Sequence, residues 1–463
     1  MTDEGPTRRK VRLIIPKSAL QDAQNRGFHA VGPEMPGVHS LQPGVLNTQG
    51  QLPRVPEYIQ RHMAEMEAQA REMYEKPVEV KGERPVLAHR NQEVGENLPR
   101  EVLTQMDRIV TTDFRKLEKG RDYDRTGSIG IEELDKKGFF RSVSFDLREP
   151  VTLGGRTIYG IRLKGVTFNG DELDREFDLL EAHRIGGGIG APAGAIRLDY
   201  YVNREGVVVS TVHVNEPLGG EYLEETFGEA RGYKLCMQRG EEVDFPLCWY
   251  EYDSSIRPPN GLRLGAMAAG LTSKTRVRVG TMLGDLAVEE DNANRTGGKL
   301  REGWKDDVES VFLAYVNRVK KLHDGGGGLC HGSPHPGQFQ FADGRKDRVI
   351  MSDLRDIDPL DEMTYPQRVG CMAIDIKPIL VYALRYDSFE FFRRHRVNFL
   401  DLALTYFQRA DRSTIQELRG IAPRDGGRVI DDVFNLSSEN RRPLTFYARN
   451  PLIKAVMQEY PEV

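Results

Sequence analysis

Between Leu329 and Asp358 the chain reads LCHGSPHPGQFQFADGRKDRVIMSDLRDID, and no other stretch constrains the fold as much. It has three parts: a His-Gly-x-Pro-His-Pro-Gly loop from His331, an apolar run Val349-Ile350-Met351, and Asp353. The apolar run predicts a buried strand, with the aspartate at its end. The helix in front has the best periodicity in the chain. From Asp306 to His323, the residues Val308, Val311, Phe312, Tyr315, Val319 and Leu322 form one apolar stripe, with Lys and Arg toward the C-terminal end. A strong helix thus delivers a polar loop and a strand-end carboxylate to one place.

The 463 residues suffice for two or three packed units. Sixty-five Lys and Arg against 70 Asp and Glu leave a formal charge of −5, which argues against a nucleic-acid partner. Cys236, Cys248, Cys330 and Cys371 have no paired short spacing, as expected of reduced thiols in the cytoplasm. The sequence shows neither the apolar core of a signal peptide nor an apolar run long enough to span a bilayer. A soluble cytoplasmic protein is the expectation.

Four segments are expected. Residues 1–100 are broken by ten prolines from Pro6 to Pro99 and are poor in large apolar residues, which predicts an extended, partly disordered arm. One helix is expected in it, from Pro56 to Glu75. The strand-like Val11–Pro16 could add to a sheet edge, so the arm is a means of binding a protein partner or a second copy. Residues 101–137 read as a helical connector, with Val102, Met106, Ile109 and Val110 on one face. Residues 138–216 read as strands around a helix: Phe139–Phe145, a turn at Gly154-Gly155, Thr157–Val166, helix Asp171–Arg184, Ala195–Tyr201 and Val207–Val214. Residues 217–463 read as mostly helical, including Leu262–Leu271, Val279–Ala287, Gln367–Tyr386 and Phe389–Arg409, although Glu221–Gly303 has no clear pattern. Asp375 is expected to be a buried bracing group.

Inside the connector, DYDRTGSIGIEEL (Asp122–Leu134) has the residue types of an EF-hand calcium loop. Asp122, Asp124, Thr126, Ser128 and Glu133 would supply oxygens, and Gly127 the sharp turn. The segment after Glu133 reads better as a glycine turn entering a strand, so an acidic turn without calcium is the other reading. His331 and His335, four apart beside Cys330, have the side chains of a zinc site but no helix to align them.

Taken together, the helix, loop and aspartate resemble the protein-kinase-like superfamily. The likeness is to aminoglycoside-phosphotransferase-type enzymes and the atypical kinases of ubiquinone biosynthesis, over about Gly138 to Arg409. The resemblance implies an α+β, bilobal fold, a small β-rich lobe and a larger helical lobe behind the extended N-terminal arm. It implies ATP with magnesium as cofactor. Lys164 matches the strand lysine that holds phosphates, and Glu176 the helix glutamate that pairs with it, with Glu181 as runner-up. Val214–Glu216 matches the hinge that offers backbone groups to adenine. His331 matches a structural histidine, Asp353 the magnesium aspartate, and Gln338 the second metal position.

The same resemblance shows what is missing. Ser333 stands where the family has its catalytic aspartate, and a hydroxyl is a poor base without a partner. Gln338 replaces an asparagine, Leu354 and Arg355 replace Phe-Gly, and the phosphate loop Gly138–Val143 retains one glycine. The first functional expectation is a degenerate kinase-like protein, or pseudokinase, serving as scaffold or regulator. The second is an atypical phosphoryl or nucleotidyl transferase in which His335, Asp356 or Asp358 replaces the missing base. The third is a calcium-responsive or structural binding protein.

Overall fold

The computed structural model describes residues 57–112, 129–133, 140–166, 196–202, 206–214, 220–256, 263–325, 328–332, 334–421 and 442–462. In chain order the first elements are helix α1 (Glu57–Met73), strands β1 (Val78–Val80) and β2 (Val86–Arg90), and helices α2 (Gln92–Asn97) and α3 (Arg100–Thr111). Strands β3 (Ile129–Glu133), β4 (Phe140–Leu153), β5 (Arg156–Lys164), β6 (Ile196–Val202) and β7 (Val207–Val214) follow, then helix α4 (Leu223–Gln238). Strands β8 (Phe245–Tyr252) and β9 (Gly265–Leu271) come next. Among the described residues no helix is long and apolar enough to cross a membrane.

Seven strands form one antiparallel sheet in the order β1-β2-β8-β9-β5-β4-β3. Strands β4 and β5 meet at Gly154-Gly155, with φ of 51° and 74°. Two positive φ values in succession match the right-handed twist of a two-residue hairpin, and glycine adopts them without strain. Both faces of the sheet are covered, and alternation assigns the side chains. Leu163, Cys248, Tyr250, Ala266 and Ala268 belong to a core shared with Val102, Met106, Ile109 and Val110 of α3. Trp249, Met267 and Ala269 belong to a second core, shared with Phe227 and Tyr233 of α4 and with Ala70 and Tyr74 around the end of α1.

The rest is chiefly helical. Short strand β10 (Arg276–Arg278) leads into α5 (Val279–Thr296) and α6 (Trp304–Asp324). Strands β11 (Leu329–Cys330), β12 (Phe339–Ala342), β13 (Arg345–Met351) and β14 (Asp358–Pro359) then frame the loop and Asp353. They form two small sheets, β10-β12-β13 and β11-β14. Helices α7 (Tyr365–Asp387), α8 (Glu390–Arg394), α9 (Phe399–Leu404) and α10 (Arg412–Ile421) close the core, with strand β15 (Arg442–Pro443) and helix α11 (Pro451–Glu459).

Several expectations differ from this arrangement. The sequence predicts an extended arm over residues 1–100, yet from Glu57 to Arg100 the chain forms packed helices and strands. Helix α1 lies on α4, and β1 and β2 extend the sheet beside β8. Val11–Pro16 lies outside the described residues. Leu262–Leu271, expected as helix, is the central strand β9, and Phe389–Arg409 is two short helices separated at Arg396, whose φ is 55°. The β-rich part does not end near residue 216, since β8 and β9 complete its sheet. Strands β6 and β7 pair with β15 in a separate three-stranded sheet.

Candidate functional site

Strand alternation places the site. Leu163 points into the core under α3, so Lys164 points the other way, toward α4. There Lys164 Nζ donates to Glu229 Oε2 at 2.6 Å and to Asp353 Oδ1 at 3.2 Å. Glu221 Oε1 lies 3.0 Å from the same nitrogen. Thus one ammonium faces three carboxylates, from α4, from the residue bridging into it, and from the end of β13. Glu221 and Glu229 are buried, whereas the Asp353 side chain keeps 34% of its surface exposed. The cluster is closed behind and open at Asp353. Burial, together with the Glu221 and Asp353 charges and against the pull of Lys164, raises the Glu229 carboxyl to about 7.

Helix α4 reaches Asp353 because of two glycines. A Cβ on Gly228 would come within 2.7 Å of the Arg355 carbonyl oxygen, and one on Gly232 would overlap the Leu354 carbonyl. The helix therefore lies backbone against backbone on the segment after Asp353, with Leu354 fully buried beneath it. Arg355 Nη1 donates to Glu225 at 2.9 Å, and Arg231 donates to Asp358 and to the Ile357 carbonyl, both at 2.8 Å. These contacts clamp the segment to α4. Asp353 itself has φ 59°, a left-handed conformation that aspartate tolerates better than most residues.

The loop is braced from below. The buried Asp375 of α7 accepts from His331 N at 2.6 Å and Gly332 N at 2.7 Å, and its Oδ2 lies 2.9 Å from His323 Nε2. His331 Nε2 donates to the Ser352 carbonyl at 3.2 Å, tying the loop to the residue before Asp353. Gln338 donates its amide N–H to Asp353 Oδ2 at 2.9 Å, and its Oε1 accepts from His335 N at 3.0 Å. Those two partners fix the amide's orientation: flipped, oxygen would meet carboxylate and N–H would meet N–H. His335 Nδ1 accepts from Gly337 N at 3.1 Å, and burial lowers its pKa to about 4, so the ring is neutral at physiological pH.

The sequence-derived residues sort as follows. Lys164, Asp353 and Gln338 come together, with His335 one residue-pair away through Gln338. Ser333, Glu176, Glu181 and Glu216 lie outside the described residues. The helix that faces Lys164 is α4, and its Glu229 and the adjoining Glu221 were not anticipated. Gln338 was expected to turn a carbonyl toward a metal, but it presents its N–H side to Asp353. Asp122, Asp124, Thr126 and Ser128 also lie outside the described residues. The part of that loop that is described, Ile129–Glu133, is strand β3 paired with β4, where an EF-hand would begin its second helix. His331 and His335 are directed to Ser352 and Gly337, not to a shared point. The buried donors His323, Cys330 and Asp375 do converge, with ligand atoms within 4.8 Å of one another. However, Asp375 and His323 already bond to each other and to the loop and Tyr406.

No family description matches the chain, and no curated protein matches it. Among solved structures, WaaP in complex with acyl carrier protein is similar at 16% identity and TM-score 0.28, over 50% of this chain and 89% of that one. A glucosamine kinase (crystal form B) is similar at 10% identity and TM-score 0.25, over 87% of this chain and 97% of that one. A glucosamine kinase in complex with glucosamine, ADP and inorganic phosphate follows at 12% and 0.20, over 76% and 93%. Likenesses at this level carry no weight beside the geometry of the site itself.

Proposed function

We propose that this chain is a kinase-like protein whose catalytic loop has degenerated, a pseudokinase that binds the phosphates of a nucleotide between Lys164 and Asp353 and acts as scaffold or regulator. The observation that carries the reading is the Lys164–Glu229 pair at 2.6 Å with Asp353 at 3.2 Å from the same nitrogen. A strand lysine, a helix glutamate and a strand-end aspartate joined in this way form the charge frame that holds phosphates and a divalent ion. Two further features support it: the bond from His331 to Ser352 and the grip of Asp375 on the loop's backbone amides. On this reading the small lobe runs from β1 to β9 and the hinge is residues 272–275, ahead of β10.

The donor set partly fits a magnesium ion. Asp353 is accessible and can offer carboxylate oxygens, while Lys164 can release it to meet a phosphate. Gln338 does not fit as a second ligand in this arrangement, because turning its carbonyl to the ion would cost both of its present bonds. A bound ion would neutralise phosphate charge. Positioning the phosphates falls to Lys164, held by Glu229, and the loop lacks a carboxylate at residue 333 to accept a proton from an acceptor.

Titration calorimetry with ATP, in magnesium and then in manganese, tests the reading. Binding should be measurable for the wild type and lost in Lys164→Ala and Asp353→Ala, while Arg345→Ala, at the exposed start of β13, keeps it. Absence of binding for every nucleotide and metal would refute it. Transfer of labelled phosphate or nucleotide to any acceptor would favour the second reading, an atypical transferase. The specific feature behind that alternative is His335, a neutral imidazole whose own backbone N–H is joined to Asp353 through the Gln338 amide.

A further inference from the structure

Asp375 holds the loop's two amides with its two oxygens, and its Oδ2 also lies 2.9 Å from His323 Nε2 near the end of α6. The contacts continue beyond that ring. His323 Nδ1 bonds the hydroxyl of Tyr406, two residues past α9. That hydroxyl lies 2.9 Å from the hydroxyl of Tyr460, the residue after α11. Tyr460 in turn donates to Asp324 Oδ1 at 2.7 Å. Five side chains, from α6, α7 and the segments after α9 and α11, thus form one hydrogen-bonded line. It begins at the His331 and Gly332 amides and ends at Asp324, whose side chain keeps 45% of its surface exposed.

Asp375, His323 and Tyr406 are buried, so each must find its partners inside the protein. Burial raises the pKa of both tyrosines, and each keeps the proton that a hydroxyl donates. Lys320 lies over the two rings, 4.9 Å and 5.5 Å from their centroids, and pairs with Glu459 of α11 at 2.7 Å. Helix α11 is seated without the Tyr460 hydroxyl. Leu452, Ile453 and Val456 are buried in the helical core, and Glu459 accepts from Arg409 N at 2.6 Å. What the hydroxyl adds is the link between the exposed end of the line and the loop. Hydrogen bonds joined end to end polarise one another, so removing one weakens the next.

We propose that Tyr460 and Tyr406 are positioning residues for the loop, acting through His323 and Asp375 on the His331 and Gly332 amides. From there the bond of His331 to the Ser352 carbonyl carries the setting to the residue before Asp353. The inference does not rest on a nucleotide, because it concerns how the loop is held whatever the cleft binds.

Hydrogen exchange at the His331 and Gly332 amides tests the line in Tyr460→Phe, which keeps the ring and removes only the hydroxyl. Exchange there should quicken about fivefold, within the worth of one hydrogen bond, and the ring resonances of His323 should shift. Asp324→Asn keeps an acceptor oxygen and should leave both readouts at wild-type values, whereas Asp324→Leu should reproduce Tyr460→Phe. Asn450→Ala loosens α11 without touching the line, since the Asn450 side chain caps that helix by accepting from Leu452 N. It should leave the loop amides and His323 unmoved. A Tyr460→Phe, Asp375→Asn double variant should fall short of the product of the two single effects, as members of one network do. Loop exchange in Tyr460→Phe within about twofold of the wild type would overturn the proposal. So would an equal effect of Asn450→Ala, or a double variant that reaches the full product. Tyr406→Phe should quicken the loop amides at least as much as Tyr460→Phe. Should that buried replacement fail to melt cooperatively, Tyr460→Phe and the two Asp324 variants decide.

Discussion

Gly232 of α4 faces the carbonyl oxygen of Leu354 so closely that a methyl group has no room between them. An alanine in a helix interior ordinarily stabilises by about 1 kcal/mol over glycine. Here the overlap must be relieved by moving the helix or the backbone after Asp353, at about 1–3 kcal/mol or more. Gly232→Ala should therefore destabilise on balance, and it should carry Glu229 away from Lys164. Denaturant melts give the first quantity. The loss of ATP binding at a temperature where the variant is fully folded gives the second. A neutral or stabilised Gly232→Ala with normal binding would show that α4 does not depend on this contact.

That relationship also explains what the sequence hid. Helix α6 was legible because one stripe is buried and the rest is solvated. Helix α4 is covered by α1, by the sheet and by the segment after Asp353, so most of LEETFGEARGYKLCMQ is buried, its polar Glu224, Glu225, Arg231 and Lys234 are only partly exposed, and two glycines interrupt it. Strand β9, GAMAAGL, is central and pressed by α4 on one face and by the α3 core on the other. Small residues make that possible: a Cβ on Gly265 would meet Thr226 of α4 at 2.5 Å. Without β-branched residues it reads as helix. Glu176 lies in the first segment after Lys164 whose sequence has amphipathic helical spacing. The helix that faces Lys164 begins only at Leu223, after the chain has returned to the sheet at Gly220, and nothing local marks that displacement. His331, Asp353 and Asp375, by contrast, sit at fixed offsets within one short stretch and one strong helix, where local pattern suffices.

The excess of carboxylate around Lys164 predicts an unusual pH profile. The unfolded Glu229 titrates near 4.5 and the folded one at about 7. Between those values the folded chain holds a proton that the unfolded chain has lost, so stability falls as pH rises. The contribution is complete below 4.5 and gone above 7, at most about 3 kcal/mol. Glu221→Gln removes one of the neighbours that raise Glu229, and it should flatten this limb while stabilising the protein at pH 8. Glu229→Gln should abolish the limb. Urea melts across pH 4.5–8 provide the check, and an identical slope in all three proteins would show that Glu229 is not the group responsible.

Asp375 is wholly buried, yet it sets the loop. Replacing it with alanine leaves His331 N and Gly332 N without acceptors, each unsatisfied amide costing about 1–3 kcal/mol. Asp375→Asn retains one oxygen and should fall between the two. The measurable sign is that hydrogen exchange at the His331 and Gly332 amides accelerates in Asp375→Asn before global stability is lost. Protection equal to the wild type would assign Asp375 to packing alone.

His89 links the acid limb of stability to helix α1. Its ring stacks on Trp249 with centroids 3.6 Å apart, and its Nε2 lies 3.3 Å from Arg71 Nη1. Glu67 of α1 and Glu251 of β8 are the acidic groups nearby, the latter 3.9 Å from the same nitrogen. Burial first, then the Arg71 charge, lowers the folded His89 pKa to about 4 from 6.5. Below 6.5 the unfolded chain takes up a proton that the folded chain refuses, so stability is full above that pH and lost as pH falls toward 4. Protonation places a second cation against Arg71, whose guanidinium covers the Trp249 and Phe227 rings and pairs with Glu251. Helix α1 is held to α4 there and at Tyr74, whose hydroxyl donates to the Ala230 carbonyl at 3.0 Å. At pH 5 the amides around Ala70 should therefore exchange before those of α6. His89→Phe keeps the stacking, removes the titration, and should restore their protection. Equal exchange in both proteins at pH 5 would disconnect His89 from the seating of α1.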